Sequence, residues 1–207
     1  YLHFLTIAFV VSFITSNILA FKVVQIGGLT FGAAAIFFPI SLIIGDIMSE
    51  VYGYKRTRRA VFIGLIAYCY FVLAAQATTA LPAAPQWPLQ PAYEAVFGMT
   101  VRVFIAGVLA YMVAELVNAY ILTRMKVWQK GKSFWLRAMT STIAGEFLHT
   151  AVGAPIVFWN ILSGTEIIQL VLTATCLKVA VEAVILPFTS RLVVWLKNAE
   201  QIDYYER

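Results

Sequence analysis

The stretch FGAAAIFFPISLIIGDIMSEVYGYKRTRR, residues 31–59, decides what kind of protein this is. Its first part, 31–52, is apolar apart from Ser41, Asp46, Ser49 and Glu50. As a helix rising about 1.5 Å per residue it is long enough to cross a hydrocarbon core about 30 Å thick. Four basic residues then arrive within five positions, Lys55-Arg56-Thr57-Arg58-Arg59. An apolar span ending on such a block is the pattern of a membrane helix whose basic end stays in the cytoplasm.

Five more runs of this kind occupy 2–21, 60–81, 99–123, 138–159 and 167–195. They show no alternation of apolar and polar residues, and a lipid-exposed backbone must satisfy its own hydrogen bonds, so helices rather than a barrel are expected. The expectation is an all-α integral membrane protein, 1–207 forming a single domain of six transmembrane helices. Composition agrees, with 61% apolar and 12% charged among 207 residues, against about 45–50% and 25% in soluble domains. A soluble chain of this size would expose large apolar patches. That excludes a soluble enzyme, a disordered chain and a disulfide-stapled secreted domain.

Nine of the fifteen Lys and Arg residues lie in 55–59 and 124–137, the latter holding Arg124, Lys126, Lys130, Lys132 and Arg137. The loops at 82–97 and 160–166 carry only Glu94 and Glu166 among charged residues. The basic loops and both termini are therefore expected in the cytoplasm, and the net charge of +5 reflects this asymmetry rather than nucleic-acid binding. Pro82, Pro85, Pro88 and Pro91 predict a stiff, extended outer loop without a helix. Cys69 and Cys176 sit in apolar runs and read as small core or lipid-facing residues. No cleavable signal peptide is recognisable, and a start at Tyr1 implies a trimmed native terminus. Ala106, Ala110 and Ala114 form a stripe of small residues in span four, on which a homodimer is expected.

An ionisable side chain at the centre of a span costs at least about 2.5–3.5 kcal/mol. Four spans nevertheless carry polar pairs three or four residues apart: Asp46 and Glu50, Glu115 and Asn118, Glu146 and His149, Lys178 and Glu182. That spacing puts each pair on one helix face, and four such faces imply an internal polar site. Glu146 lies about 14 Å from the inner end of span five and Lys178 about 17 Å from the outer end of span six, so they meet near the midplane. Asp46 and Glu50 fall nearer the inner surface, where Lys55 and Arg56 are expected to neutralise them in part. For these two acids, and for Lys178 with Glu146 or Glu182, an ion pair that pins helices is the competing reading. Asn17 and Lys22 sit at the outer end of span one.

Motifs for chemistry are absent. There is no His-Glu-x-x-His, Walker loop or Gly-x-Ser-x-Gly elbow, and Glu146-x-x-His149 lacks the second Glu-x-x-His of a di-metal bundle. No enzyme activity, metal or cofactor is expected.

Several stretches together resemble one family. Asn17-Ile18-Leu19-Ala20-Phe21-Lys22 matches an Asn-x-x-Ala-x-Lys motif, and Phe38-Pro39, Asp46, Glu50 and Tyr52-Gly53 match a second-span motif. The loop from Ala84 to Gly98, the start of span five from Arg137 to Thr142, and Lys178 are also similar. On these residues the chain resembles the queuosine-precursor transporter family, the putative vitamin-uptake group, along essentially its whole length. The resemblance implies a six-helix fold akin to the S-components, the substrate-binding subunits of energy-coupling-factor transporters. It implies uptake of 7-deazaguanine bases, queuine or queuosine across a bacterial inner membrane, for salvage into tRNA modification. The alternative is a binding subunit for a related vitamin or small molecule that needs an external energising module. Where the family has Gln-x-x-Asp in spans four and five, this chain has Glu115-x-x-Asn118 and Glu146-x-x-His149. That difference leaves nitrile, aminomethyl base, queuine and nucleoside all open as cargo.

The residues suit such a ligand. A guanine-like edge presents two adjacent donors, which one carboxylate accepts together in a charge-assisted pair. Its carbonyl wants a donor, for which Lys178, Asn118 or His149 serve. Tyr111 or Trp159 would stack on the ring, worth about 1–3 kcal/mol. The expected ligand contacts are Glu115, Asn118, Glu146, His149, Lys178, Tyr111 and Asn17, with Asp46, Glu50, Lys22 and Glu182 in gating or structural roles. The expected partners are the small molecule, the bilayer and a second copy.

Overall fold

A backbone surrounded by lipid satisfies itself most simply as helix. The computed structural model describes residues 1–129 and 133–202, except the side chains of Glu115, Ala119, Thr123 and Phe134. Lys130 and Lys132 of the basic stretch therefore lie outside the described residues. Six long helices are present: α1 (Leu2–Ile18), α2 (Ala34–Tyr52), α3 (Tyr54–Thr79), α5 (Thr100–Trp128), α6 (Phe134–Val157) and α7 (Gly164–Glu200). A 3-10 turn (Leu19–Phe21), a short α4 (Gln90–Phe97) and a hairpin of β1 (Val23–Ile26) and β2 (Leu29–Gly32) are the other elements among the described residues.

Five segments among the described residues are long and apolar enough to cross a membrane: Leu2–Phe21, α2, α3, Gln90–Trp128 and α7. The chain is a multi-pass membrane protein. The sixth expected span, α6, has the length at 24 residues but not the composition. Arg137, Ser141, Thr142, Glu146 and Thr150 along it are all buried. Its most extensive packing is on α5 and then α7, so its polar side is turned to protein. Beyond these pairs, α7 packs on α2, α2 on α1 and α3, and α3 on α5, which closes the helices into a ring around a central polar region.

The close fit of α5 on α6 comes from small residues. A Cβ added at Gly153 would lie 3.4 Å from the Ala110 Cβ, and one at Gly145 would lie 3.3 Å from the Asn118 Cβ. Ala106, Ala110 and Ala114 are buried inside this one chain. The stripe is therefore used within the subunit and is not a surface for a second copy.

Three local expectations change. First, Lys55 to Arg59 is not a loop: α2 and α3 are separated by Gly53 alone, at φ 82 and ψ 159, so the basic block forms the first turns of α3. That backbone conformation is open only to glycine. Second, the proline-rich outer stretch contains α4, because Pro91 falls in its first turn, where no intrahelical N–H is required. Third, 23–32 forms a hairpin with Ile26 opposite Leu29. Gly27 and Gly28 take φ of 58 and 80, the paired positive values of a two-residue hairpin turn. Ala33 N–H then donates to the Lys22 carbonyl at 2.7 Å, closing the hairpin directly onto α2.

Candidate functional site

Charge inside an apolar bundle persists only where it finds partners, and the facing sides of α6 and α7 supply them as rungs. Thr142 Oγ1 donates to Glu182 Oε1 at 2.6 Å. One turn along, Lys178 Nζ lies 2.7 Å from Glu146 Oε2, a contact between charges that lacks the alignment of a hydrogen bond. The same ammonium donates to Thr150 Oγ1 at 3.3 Å, and Thr150 in turn donates to the Glu146 carbonyl at 3.0 Å. Phe38 of α2 completes the surround, its ring centroid 4.6 Å from Lys178 Nζ and 4.6 Å from the His149 ring. Lys178 is thus held by an anion, a hydroxyl and a π face together.

Two cavities flank this cluster and share His149 as a wall. The narrower, about 20 Å3, is lined by Phe38, Leu42, Asp46, Tyr111, Ala114, Asn118, Thr142, Gly145, Glu146 and His149. It has room for about one water. The larger, about 100 Å3, runs between Asn17 of α1, Lys178, and the small residues Ala34, Ala35, Ala106, Gly107, Ala110 and Gly153. Asn118 Oδ1 is buried and has no hydrogen-bond partner. The wall of the narrow cavity therefore holds a buried amide oxygen without a hydrogen bond, the carboxylates of Asp46 and Glu146, and the His149 imidazole, while Lys178 lines the larger cavity and meets this one through Glu146. Such a wall can accept two hydrogen bonds and return one.

Of the residues expected to contact a ligand, Asn17, Tyr111, Asn118, Glu146, His149 and Lys178 are brought together here. Glu115 stands three residues before Asn118 on α5, but its side chain lies outside the described residues. Trp159 is 64% exposed and its carbonyl accepts from Arg102, so it does not stack at this site. The aromatic surface comes from Phe38 and Tyr111 instead, the latter set edge-on to Phe13 at 5.9 Å. Asp46, expected in a gating or structural role, lines the narrow cavity together with Glu146. Lys22 is exposed beside the hairpin and lines neither cavity.

Glu50 is neutralised by cations from three other helices. Its carboxylate meets Lys197 at 2.8 Å, Arg137 at 3.3 Å and Lys126 at 3.6 Å. These come from α7, α6 and α5, so one acid on α2 ties four helices at one end of the bundle. Sequence reasoning missed Phe38, Thr142, Thr150 and Arg137 as parts of these networks. The two threonines were findable, since they stand four residues either side of Glu146 and so share its helix face. Phe38 stands in the Phe38-Pro39 part of the second-span motif, but nothing in the sequence says that its ring lies against Lys178.

Residues 32–192 match the family described as putative vitamin uptake transporter. The chain is also 22% identical over 189 residues to a protein of Bacillus subtilis (strain 168) described as "Probable queuosine precursor transporter". That alignment covers 91% of this chain and 82% of the relative. No solved structure matches at comparable significance.

Proposed function

The chain belongs to the putative vitamin uptake transporter family, a transporter and not an enzyme, and on that premise we propose that it imports queuosine precursors of the 7-deazaguanine class. The ligand binds between α1, α2, α5, α6 and α7, near the membrane midplane. The observation that carries this reading is that Glu146 of α6 and Asn118 of α5, whose Oδ1 is buried without a hydrogen bond, line the same cavity. A guanine-like edge offers the two adjacent donors that such a wall accepts, and its carbonyl takes the donor of Lys178 or His149. Phe38 and Tyr111 supply faces for the bicyclic ring, for which the narrow cavity, with room for about one water in the observed state, must widen on binding. The larger cavity, lined by alanine and glycine, leaves space for the substituent at the 7-position. The likeness to a queuosine precursor transporter of Bacillus subtilis supports the same substrate class.

In this reading α6 crosses the bilayer as a sixth span, shielded by α5 and α7. The end bearing Lys126, Arg137 and Lys197 faces the cytoplasm of a bacterial inner membrane, together with both termini. Cysteine labelling of intact cells tests the orientation: Glu94→Cys reacts from outside and Arg58→Cys does not, and the reverse pattern inverts it. Thermal shift of the purified protein with a panel of deazaguanines tests the substrate, because a ligand that binds only the folded state raises apparent stability by mass action. A shift with one deazaguanine and none with guanine supports the proposal; equal silence across the panel refutes it.

A further inference from the structure

The carboxyl of Glu182 has no task in ligand recognition, yet it is 1% exposed in the middle of a membrane helix. Oε1 accepts from Thr142, while Oε2 is buried with no hydrogen-bond partner. Among the described residues no cationic nitrogen lies within 4.0 Å of it. The elements packed on α7 bring little positive charge to it. From α6 come Glu146, which already holds Lys178, the imidazole of His149, and Arg137, which is engaged by Glu50. From α2 come two further acids, Asp46 and Glu50, the second surrounded by its own cations. β2 carries no titratable side chain. On α7 itself Lys178 stands one turn before Glu182, and Lys197 is bound to Glu50.

The local count is two carboxyls, Glu146 and Glu182, for one ammonium, Lys178. The group is neutral only when it carries one additional proton. A carboxylate with an unserved oxygen in apolar surroundings is far costlier than the corresponding acid. We infer that Glu182 is a proton-binding site and that uptake through this chain is coupled to proton entry at that residue. The inference rests on the reading of the chain as a deazaguanine transporter. With Glu182 protonated, Lys178 stays on Glu146 and Thr150, and the ligand-binding wall keeps its observed form. With Glu182 ionised, a second anion one turn away on the same helix competes for the ammonium and draws it off that wall. Protonation therefore favours ligand binding, and by reciprocity the ligand favours protonation. An O–H bond forms on Glu182 Oε2 as a hydronium outside gives up its proton, and the same bond breaks to water on the inside. One ligand and one proton enter per cycle, with no redox step and no covalent bond to the ligand.

The test uses purified protein in liposomes with 7-cyano-7-deazaguanine as probe. Infrared difference spectra of the ligand-free protein should show a protonated-carboxyl carbonyl band that Glu182→Gln lacks. An inward proton gradient should drive accumulation by the unmodified protein. Its affinity should fall with rising pH by up to about tenfold per unit, the limit for one linked proton. Glu182→Gln, which keeps an acceptor for Thr142 and mimics the neutral acid, should bind at every pH and equilibrate the probe without responding to the gradient. Glu182→Asp, still titratable, should regain the response. An absent infrared band, or accumulation indifferent to the gradient, overturns the inference. Failure of every deazaguanine to bind would instead overturn the substrate reading, and the infrared band would still decide whether Glu182 holds a proton.

Discussion

Two buried charge clusters in this bundle are built on opposite arithmetic. At one end a single acid, Glu50, collects Lys126, Arg137 and Lys197. At the centre a single ammonium, Lys178, serves Glu146 while Glu182 stands one turn away with only Thr142. The end cluster is rich in base and partly open, the Lys197 side chain being 20% exposed and that of Lys126 14%. Water and the membrane surface can screen its excess charge. The central cluster is rich in acid and closed, and it borders cavities, so its excess acceptor capacity is available to a ligand or a proton. On the function proposed above, the difference separates a clasp that holds helices together from a site that takes a ligand or a proton.

The sharpest way to break that division is Glu146→Ala. Binding of the deazaguanine probe should weaken at least about 100-fold, close to 3 kcal/mol, because a buried donor edge is left unserved. Size-exclusion profiles should stay monodisperse; binding that survives undiminished would turn the centre into a second clasp. Arg137→Ala should do the reverse. Removing a fully buried partner of Glu50 should lower stability by about 3–5 kcal/mol in denaturant titrations, with affinity per folded molecule unchanged. If ligand affinity fell instead, the two clusters would be one coupled unit.

Smaller effects sharpen the boundary between them. Gly107→Ala places a Cβ 2.9 Å from Asn17 Oδ1, so Asn17 must shift within the larger cavity. Equilibrium binding should weaken about tenfold, or 1.4 kcal/mol, with little loss of melting temperature. Lys197→Ala removes a half-solvated member of the clasp and should cost about 1 kcal/mol or less. Thermal unfolding of this variant beside Arg137→Ala measures how much of the clasp's strength depends on burial.

Much of the fold was legible because a bilayer imposes one rule on every segment. Five apolar runs became helical segments long and apolar enough to cross a membrane, two of them, Tyr54–Thr79 and Gln90–Trp128, starting well before the runs expected. The sixth run was harder, since α6 hides its polar side chains against α5 and α7 and its composition alone does not declare a span. The hairpin at 23–32 was legible in principle from Gly27-Gly28 between two β-prone stretches, and was overlooked beside stronger helical signals. Among site residues, the helix-face pairs containing Asn118, Glu146, His149 and Lys178 were visible as polar groups where lipid would reject them. Asp46 is visible too, but depth along a helix does not say which neighbours lie across from it, so its place in the cavity wall beside Glu146 is not.

The sequence by itself determined that the chain is a helical membrane protein with acids and a lysine inside its apolar helices. Apolar length and polar spacing are properties of single helices, and a single helix reports them fully. Only the tertiary structure decided that Lys178 goes to Glu146 rather than to Glu182, although Glu182 is the nearer in sequence. It alone showed that Glu50 draws its cations from three other helices, that Phe38 lies against the ammonium, and that the alanine stripe is used inside the subunit. These are contacts between helices, set by how α5, α6 and α7 rotate and slide against one another. Helix rotation and offset depend on the packing of all the side chains at once, so no local pattern in the sequence carries them.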